Sequence, residues 1–271
     1  MRVGKMKFHK KTVVITGAAG GLGSALCQRF GEAGAHILAL DIDETGLQHL
    51  QDLLDTKGVS HETCVCDVTD LGAAQKTLAR QPGIDVLINN AGISHRSAFA
   101  STDLAVIRKV VDINFWGAVH CTQAVLPQLM QRRGQIIVIS SVAGFSPLIA
   151  RTGYAASKHA LHGFFESLRS EIKTQGVDVM MVCPSFIATN IVRSALAGDG
   201  QPLQHDQVRV GGQMQPAEAA ERIFRAAAAR KRLLILGKTG KLAWYLHKIA
   251  PTFYESMMAK RLRAEMESVK S

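Results

Sequence analysis

The sequence predicts an α/β fold: a doubly wound parallel sheet of about seven strands, helices on both faces, and a helical extension at the C-terminus. Three observations predict it. Short Val/Ile-rich runs alternate with helix-length amphipathic segments along the chain, which is the βαβ rhythm of a parallel sheet covered on both sides. A glycine-rich turn joins the first apolar run to the first helix-length segment. A length of 271 residues with 47% hydrophobic content supports one large buried core and argues against disorder.

Taken in order, "TVVIT" (12–16), "HILAL" (36–40), "ETCVC" (62–66), "DVLIN" (85–89), "QIIVIS" (135–140), "DVMMVC" (178–183) and "RLLIL" (232–236) read as buried strands. Between them, "LCQRFGEAG", "LAVIRKVVDINFWGAVHCTQAVLPQLMQ" and "AEAAERIFRAAAA" read as helices. Ligands of such sheets bind beyond the carboxyl ends of the strands, so the turns at those ends are where function is sought. Residues 1–237 read as one nucleotide-binding domain that includes the reactive site, and 238–271 as a basic amphipathic extension of it.

The first turn is "TGAAGGLG", Thr16 to Gly23. Gly17 permits a tight turn, Gly21 lets a pyrophosphate approach the backbone, and Gly23 allows close packing of helix on strand. The helix N-terminus then offers free N–H groups and a favourable dipole to the phosphates. A carboxylate, Asp41 in "LALDID", ends the second strand, where it can accept hydrogen bonds from the adenosine ribose hydroxyls. It would repel the 2′-phosphate of NADP, and no Lys or Arg interrupts the glycine turn to offset that. NAD is therefore the expected cofactor, ahead of NADP. Asp43 is the better candidate for a helix cap.

"RTGYAASKHALHG" places Tyr154 and Lys158 four residues apart on an expected helix, hence on one face. A phenol with a pKa near ~10 is a poor base at neutral pH. A neighbouring ammonium favours the phenolate and makes the pair usable for proton transfer.

The order T-G-x-x-x-G-x-G, "CDVTD", "NNAG", a mid-helix Asn114, "SS", "YAASK" and "CPSFIATN" resembles the short-chain dehydrogenase/reductase family over about residues 8–237. One departure is visible: Pro184-Ser185 stands where the family usually has Pro-Gly. The resemblance implies an enzyme in which Tyr154 is general acid and base and Lys158 also binds the nicotinamide ribose. It selects Ser141, thirteen residues before the tyrosine, to hold the substrate oxygen, with Ser140 facing away. It gives Asn114 a water that links Lys158 to solvent. It implies a cofactor shell of Gly17, Ala19, Gly21, Leu22, Gly23, Asp41, Ile42, Asp67 at the adenine amino group, Val68 beside the ring, Asn90, Ala91, Gly92, Tyr154, Lys158, Pro184, and Ile187 and Thr189 at the carboxamide. For Asn89, bracing between strands is as good a reading as ligand contact.

The net charge of +10 is uneven. Residues 1–11 carry five Lys/Arg and no acid, and residues 230–271 carry ten Lys/Arg against three Asp/Glu. The other 17 basic and 19 acidic residues leave a nearly neutral body, which argues against nucleic acid as partner. The five cysteines are scattered and read as reduced packing residues, with no metal site expected. No apolar run reaches the ~18 residues of a membrane span, and the basic start has no signal-peptide core, so a cytoplasmic location is expected.

Substrate choice is expected in the irregular segment 191–216, read as a mobile lid, with Phe145, Leu148, Phe186, Ile191 and Val192 forming an apolar pocket. His95, Arg96 and Arg151 are expected at its mouth, as solvated rim charges rather than substrate anchors. In the tail, Leu242, Tyr245, Leu246 and Ile249 fall on one helical face. Pro251 can start a second helix with Phe253, Tyr254, Met257 and Met258, and Lys241, His247, Lys248, Lys260, Arg261 and Arg263 supply positive charge. Such a composition reads as an interfacial membrane helix or as a pair packed on its own domain or a partner subunit. Similar tails in the 11β-hydroxysteroid dehydrogenase-like branch of the family imply membrane contact and lipophilic substrates.

The expected function is NAD(H)-dependent interconversion of a secondary alcohol and a ketone on a lipophilic or steroid-like molecule, by a homodimer or homotetramer. The alternatives are reduction of 3-oxoacyl groups on acyl carrier protein and a non-catalytic NAD-binding sensor.

Overall fold

The computed structural model describes residues 7–188, 195–203 and 213–261. Seven parallel strands form one sheet in the order β3-β2-β1-β4-β5-β6-β7. They are β1 Thr12–Thr16, β2 His36–Asp41, β3 His61–Val65, β4 Val86–Asn89, β5 Gln135–Ile139, β6 Asp178–Cys183 and β7 Leu233–Ile235. The helices are α1 Gly21–Gly31, α2 Glu44–Thr56, α3 Leu71–Ala79, α4 Leu104–Val111, α5 Gly117–Arg132, α6 Thr152–Glu171, α7 Pro216–Ala228, α8 Lys238–Ile249 and α9 Pro251–Arg261. The expected α/β class, the seven strands and the C-terminal helices are all present.

The strands read as unbroken apolar runs because both faces of the sheet are covered. Val13 and Ile15 of β1 point into a core shared with Leu26 and Phe30 of α1, Leu50 and Leu54 of α2, and Ile223 and Phe224 of α7. Val14 points the opposite way, into a core with Leu78 of α3, Cys121, Val125 and Leu129 of α5, and Leu161, Phe165 and Leu168 of α6. Side chains alternate along a strand, so neighbouring valines serve different cores. Phe8, ahead of β1, stacks edge-on to Phe30 at 4.9 Å between centroids and tilts against Phe224 at 5.1 Å, closing the first core from below. The five cysteines are free, as expected.

Capping aspartates start three helices. Asp43 accepts from the Gly46 N–H at 3.0 Å, Asp70 from Ala73 at 3.0 Å and Asp103 from Ala105 at 2.8 Å. The segment read as one long helix is α4 and α5 joined by a single widened π-helical turn, Asp112–Trp116, a distortion that often marks functional positions.

Register places the ligand crevice. β1 pairs with β2 on one side (Val13 with Ile37) and with β4 on the other (Val13 with Val86). The strand order therefore reverses direction between β1 and β4, and a crevice opens beyond their carboxyl ends.

Candidate active site

The crevice is a cavity of about 1180 Å³ that runs from the glycine turn to Tyr154. Gly17 has φ +64°, and a Cβ on it would lie 2.8 Å from the Ala91 Cα. A Cβ on Gly23 would overlap the Gly17 carbonyl oxygen. The turn thus sits directly against the end of β4, with no room for side chains. Thr16 locks the two together: its hydroxyl accepts the N–H groups of Asn90 and Ala91, both at 3.0 Å. The Asn90 amide donates to the carbonyls of Thr16 at 3.0 Å and Gly17 at 2.9 Å. Asn90 is thus a brace for the cradle as well as part of its wall. Asn89 turns to the Thr122 hydroxyl at 3.0 Å, which makes it a strand brace.

α1 begins at Gly21 without a side-chain cap, so its first N–H groups are left for a ligand. Gly17, Gly21, Leu22, Gly23, Asp41, Ile42, Asp67, Val68, Ala91 and Gly92 line the cavity. Ala19 stands behind the wall, its N–H donating to Asp41 Oδ2 at 2.9 Å. Asp41 Oδ1 accepts from Ile42 at 2.8 Å and Asp43 at 3.1 Å. Three of roughly four acceptor positions on the carboxylate are therefore occupied, which leaves less capacity for two ribose hydroxyls than the sequence suggested. The negative charge stays in the crevice.

At the other end, Ser141, Tyr154 and Lys158 share the wall with Pro184, Ser185 and Ile187. Thr189 lies outside the described residues. The Ser141 hydroxyl accepts the Ala143 N–H at 3.1 Å, so its own proton is free to point at the Tyr154 oxygen, to which it is hydrogen-bonded. Ser140 turns away, its hydroxyl reaching back toward the Lys158 carbonyl at 3.4 Å. Lys158 is buried, donates to the Ile139 carbonyl at 2.9 Å and lies 5.7 Å from the Tyr154 ring centroid. Burial pulls its ammonium down to about 8, so it keeps most of its charge at neutral pH.

Burial pushes the Tyr154 phenol up, while the Ser141 hydrogen bond and the Arg151 cation oppose that rise. Tyr154 is half-buried and lines the cavity, which tempers the effect of burial. The cation that acts on the phenol here is Arg151, which the sequence suggested only as a solvated charge at the pocket mouth.

Asn114 lies in the π-helical turn and is buried. Its Oδ1 accepts the Ile93 N–H at 2.8 Å, and its Nδ2 donates to the Ile93 carbonyl at 3.0 Å and the Ser157 hydroxyl at 2.9 Å. Ser157 in turn donates to the Tyr154 carbonyl at 2.7 Å. The side chain therefore ties the segment after β4 to α6, and Gly92 fits between: a Cβ there would sit 3.0 Å from Asn114 Oδ1 and 3.5 Å from Lys158 Nζ. Sequence reasoning missed Ser157, because a serine inside a helix carries no signal until its partner is placed.

The substrate end departs from expectation in three ways. His95, Arg96 and Arg151 are buried rather than solvated. His95 Nε2 accepts the Gly153 N–H at 2.9 Å, and burial together with Arg151 pulls its pKa down to about 4, so it is a neutral strut under α6. Arg96 and Arg151 line the cavity. Phe145 leaves the pocket to stack edge-on against His162 at 6.4 Å, whereas Leu148 and Phe186 line it with Leu104, Ala195 and Leu203. The segment read as a lid is pinned where it is described. Leu196 donates to the Ser94 carbonyl at 2.9 Å and accepts from Arg96 at 2.8 Å, and Met214 donates to the Phe186 carbonyl at 3.0 Å. Ile191, Val192 and the rest of that segment lie outside the described residues.

With this geometry in view, the comparisons with known proteins are decisive. The family model for short chain dehydrogenases matches residues 11–199. The chain belongs to the short-chain dehydrogenase/reductase family. It is an oxidoreductase enzyme. It is 38% identical to dehydrogenase/reductase SDR family member 7B of Xenopus laevis over 263 residues, 93% of this chain and 81% of the relative. It is 35% identical to a dehydrogenase/reductase SDR family protein 7-like of Drosophila melanogaster, covering 93% and 80%. In fold it is similar to a short-chain dehydrogenase/reductase from Burkholderia phymatum in complex with NAD, with TM-score 0.80 and 22% identity over 91% of this chain and 95% of that one. It is also similar to a substituted variant of actinorhodin polyketide ketoreductase with NADPH, with TM-score 0.73 and 26% identity over 84% and 95%.

Proposed function

We propose that this short-chain dehydrogenase/reductase interconverts a secondary alcohol and a ketone on a lipophilic molecule, with NAD(H) as its cofactor. The observation that carries this reading is the joint placement of Ser141, Tyr154 and Lys158 in the cavity that the glycine turn opens. The residues fit a dinucleotide: Gly17 and Gly23 leave a cradle that side chains would fill, and the uncapped start of α1 faces phosphates. Gly17, Gly21, Leu22, Gly23, Asp41, Ile42, Asp67, Val68, Ala91 and Gly92 would hold its adenosine and phosphates, and Lys158, Pro184 and Ile187 its nicotinamide half. Bound there, the nicotinamide supplies hydride transfer.

The protein's own residues do the rest. Ser141, with its oxygen engaged by Ala143, donates a hydrogen bond to the substrate oxygen and positions it at Tyr154. Tyr154 takes the hydroxyl proton in oxidation and returns it in reduction. Lys158 holds positive charge beside the phenol, fixed by the Ile139 carbonyl. Asn114 keeps the segment after β4 and α6 in register through Ile93 and Ser157. The apolar walls of Leu104, Leu148, Phe186 and Leu203 favour a lipophilic substrate. A turnover screen over steroids, retinoids, acyl thioesters and sugars with both cofactors tests the reading. Exclusive turnover of sugars or other polar alcohols would reject the lipophilic part of it.

Asp41 underlies the preference for NAD. Asp41→Ala should narrow the ratio of kcat/KM between NAD(H) and NADP(H), by about tenfold for each ~1.4 kcal/mol of repulsion relieved. A wild-type enzyme that prefers NADPH would refute this.

We further infer a two-fold assembly through α5 and α6. Trp116 and Phe164 remain exposed on that face, stacked on Phe115 at 5.2 and 5.9 Å, and Gly163 borders open space. Sedimentation should give a dimer or tetramer at micromolar concentration, and monomer alone would count against it.

The tail supports peripheral membrane contact. Gly240, Ala243 and Tyr254 face the domain, with Gly240 against Val142 and Ile235, while Leu242, Tyr245, Ile249 and Phe253 are exposed beside Lys238, Lys241 and Lys248. Arg261's side chain and Arg263 lie outside the described residues. Such a stripe binds anionic lipid, each cation contributing on the order of 1 kcal/mol at low salt. The protein should co-sediment with anionic vesicles more than with neutral ones, less so as salt rises, and truncation after Gly237 should abolish this. Absence of vesicle binding at low salt would leave the tail a purely intramolecular brace.

A further inference from the structure

The helix that carries Tyr154 begins without a cap of its own. The residue at the capping position of α6 is Arg151, whose guanidinium can only donate, and its side chain makes no capping hydrogen bond. The chain enters the helix through Ala150, whose φ of 57° is a left-handed conformation that a non-glycine residue keeps only where its surroundings hold it. Tyr154 lies in the first turn, the part of a helix whose N–H groups lack intrahelical acceptors. The buried anchors Leu161, Phe165 and Leu168 come later along α6. What holds the first turn comes from the segment after β4. The Ser97 N–H donates to the Ala150 carbonyl at 2.9 Å, and the Gly153 N–H donates to His95 Nε2, also at 2.9 Å. A Cβ on Gly153 would stand 3.1 Å from that same nitrogen, so the imidazole is pressed directly under the turn.

The hydrogen bonds behind His95 fix which nitrogen carries its proton. The Thr102 hydroxyl donates to the Ala98 carbonyl at 2.7 Å, so toward Ser97, also at 2.7 Å, it can only accept. Ser97 spends its own proton there, and its oxygen then faces His95 Nδ1 at 3.2 Å as an acceptor. Nδ1 therefore bears the proton, and Nε2 keeps the lone pair that receives Gly153. The chain from Gly153 through His95, Ser97 and Thr102 to Ala98 runs in one direction only. A second proton on the ring would turn an N–H against the Gly153 N–H. Burial and the Arg151 cation hold the imidazole pKa down at about 4, so the acceptor persists at neutral pH.

We propose that His95 is a positioning residue for the reaction: by capping α6 at Gly153 it sets where the Tyr154 hydroxyl lies relative to Ser141 and Arg151. This role rests on Tyr154 being the acid and base of the function proposed above. Asn114 and Ser157 hold the carbonyl of Tyr154, and His95 holds the N–H of the residue just before it, so the two contacts bracket the tyrosine. His95 is fully buried and stands outside the cavity wall, so it acts through the backbone and not on substrate. The Ser141 hydrogen bond and the Arg151 cation are what favour the phenolate against burial. Both contributions depend on distances that a shift of about 1 Å in the first turn would spoil.

The phenol itself can be read without any substrate. The chain has three tyrosines, so NMR of the full protein labelled with ¹³C at the hydroxyl-bearing ring carbon resolves Tyr154 once Tyr154→Phe identifies its signal. In His95→Asn the shorter amide can still donate to Ser97 but no longer reaches Gly153. The phenolate fraction of Tyr154 at a given alkaline pH should then fall on the order of tenfold, the size of one hydrogen bond to a charged group. His95→Gln, whose amide oxygen can stand in for Nε2, should restore the parent titration. Ser97→Ala leaves α6 and the ring in place but frees the tautomer, and should shift the titration in the same direction by less. It also decides the matter if the asparagine variant does not fold. A Tyr154 titration unchanged in His95→Asn and Ser97→Ala, even with a lowered Tm, would make His95 a packing group only and overturn the proposal. So would a glutamine variant that titrates like the asparagine one. Because this measurement needs no turnover, loss of the alcohol–ketone reading would show separately, as full activity in Tyr154→Phe.

Discussion

Replacing Tyr154 with phenylalanine is expected to lower turnover by about two to four orders of magnitude while NAD affinity stays near that of the parent. The ring is held by α6 and by its position one turn from Lys158, and neither depends on the hydroxyl. The hydroxyl is what meets the Ser141 proton, so its removal takes away the acid and base and leaves packing in place. The pH profile gives an independent reading. Burial pushes the phenol up, so the base form is scarce at neutral pH and the rate of alcohol oxidation should climb as pH rises. Carbonyl reduction uses the protonated form and should stay level through neutral pH, then decline in alkali. The phenylalanine variant should lack the rising limb in oxidation. Near-normal turnover, or an unchanged pH profile, would remove Tyr154 from the chemistry.

Strands and helices were legible because a buried parallel sheet leaves a strong one-dimensional trace: "TVVIT" and "QIIVIS" are apolar at nearly every step, since both faces are covered. The crevice was legible for a related reason. Gly17 and Gly23 are positions where the backbone itself forbids a side chain, so their spacing survives in the sequence. Burial of charged residues was not legible. Arg96, Arg151 and His95 look like solvated rim groups until the 195–203 segment folds across the residues after β4 and shuts them off from water. The opposite error affects Phe145, an aromatic residue beside the site that prefers the edge of His162 to the cavity. Asn114 shows a third limit. The residue type could be read, but its three hydrogen bonds reach Ile93 and Ser157, 21 and 43 residues away, and no local pattern encodes such partners. The composition of the tail fits a membrane interface, packing on its own domain or packing on a partner subunit. Its helices do the second with Gly240, Ala243 and Tyr254, and keep an apolar face outward.

Gly23→Ala carries the second large expected effect, on cofactor binding rather than on chemistry. The Cβ of alanine would overlap the Gly17 carbonyl oxygen and come within 2.8 Å of the Ala18 Cα, both backbone atoms that no rotamer change can clear. Either α1 moves away from β1 or the turn opens. The first is resisted by Leu26 and Phe30 of α1, which are fully buried in the core shared with Phe8 and Phe224. The turn is the softer element, but it cannot open freely either. Gly17 is pressed on Ala91 with φ +64°, and its carbonyl accepts from the Asn90 amide at 2.9 Å. The strain should therefore be shared between a loss of stability of about 1–3 kcal/mol, typical of overpacking, and a distorted phosphate cradle. Because the N–H groups at the start of α1 must converge on one pyrophosphate, a displacement of about 1 Å misaligns several hydrogen bonds together. NAD affinity should fall by two orders of magnitude or more, roughly 3 kcal/mol. Calorimetric titration of NAD measures the affinity, and circular dichroism with thermal melting checks that the sheet survives. A folded variant that binds NAD like the parent would show that the turn does not hold the phosphates, and the dinucleotide site would have to be placed elsewhere.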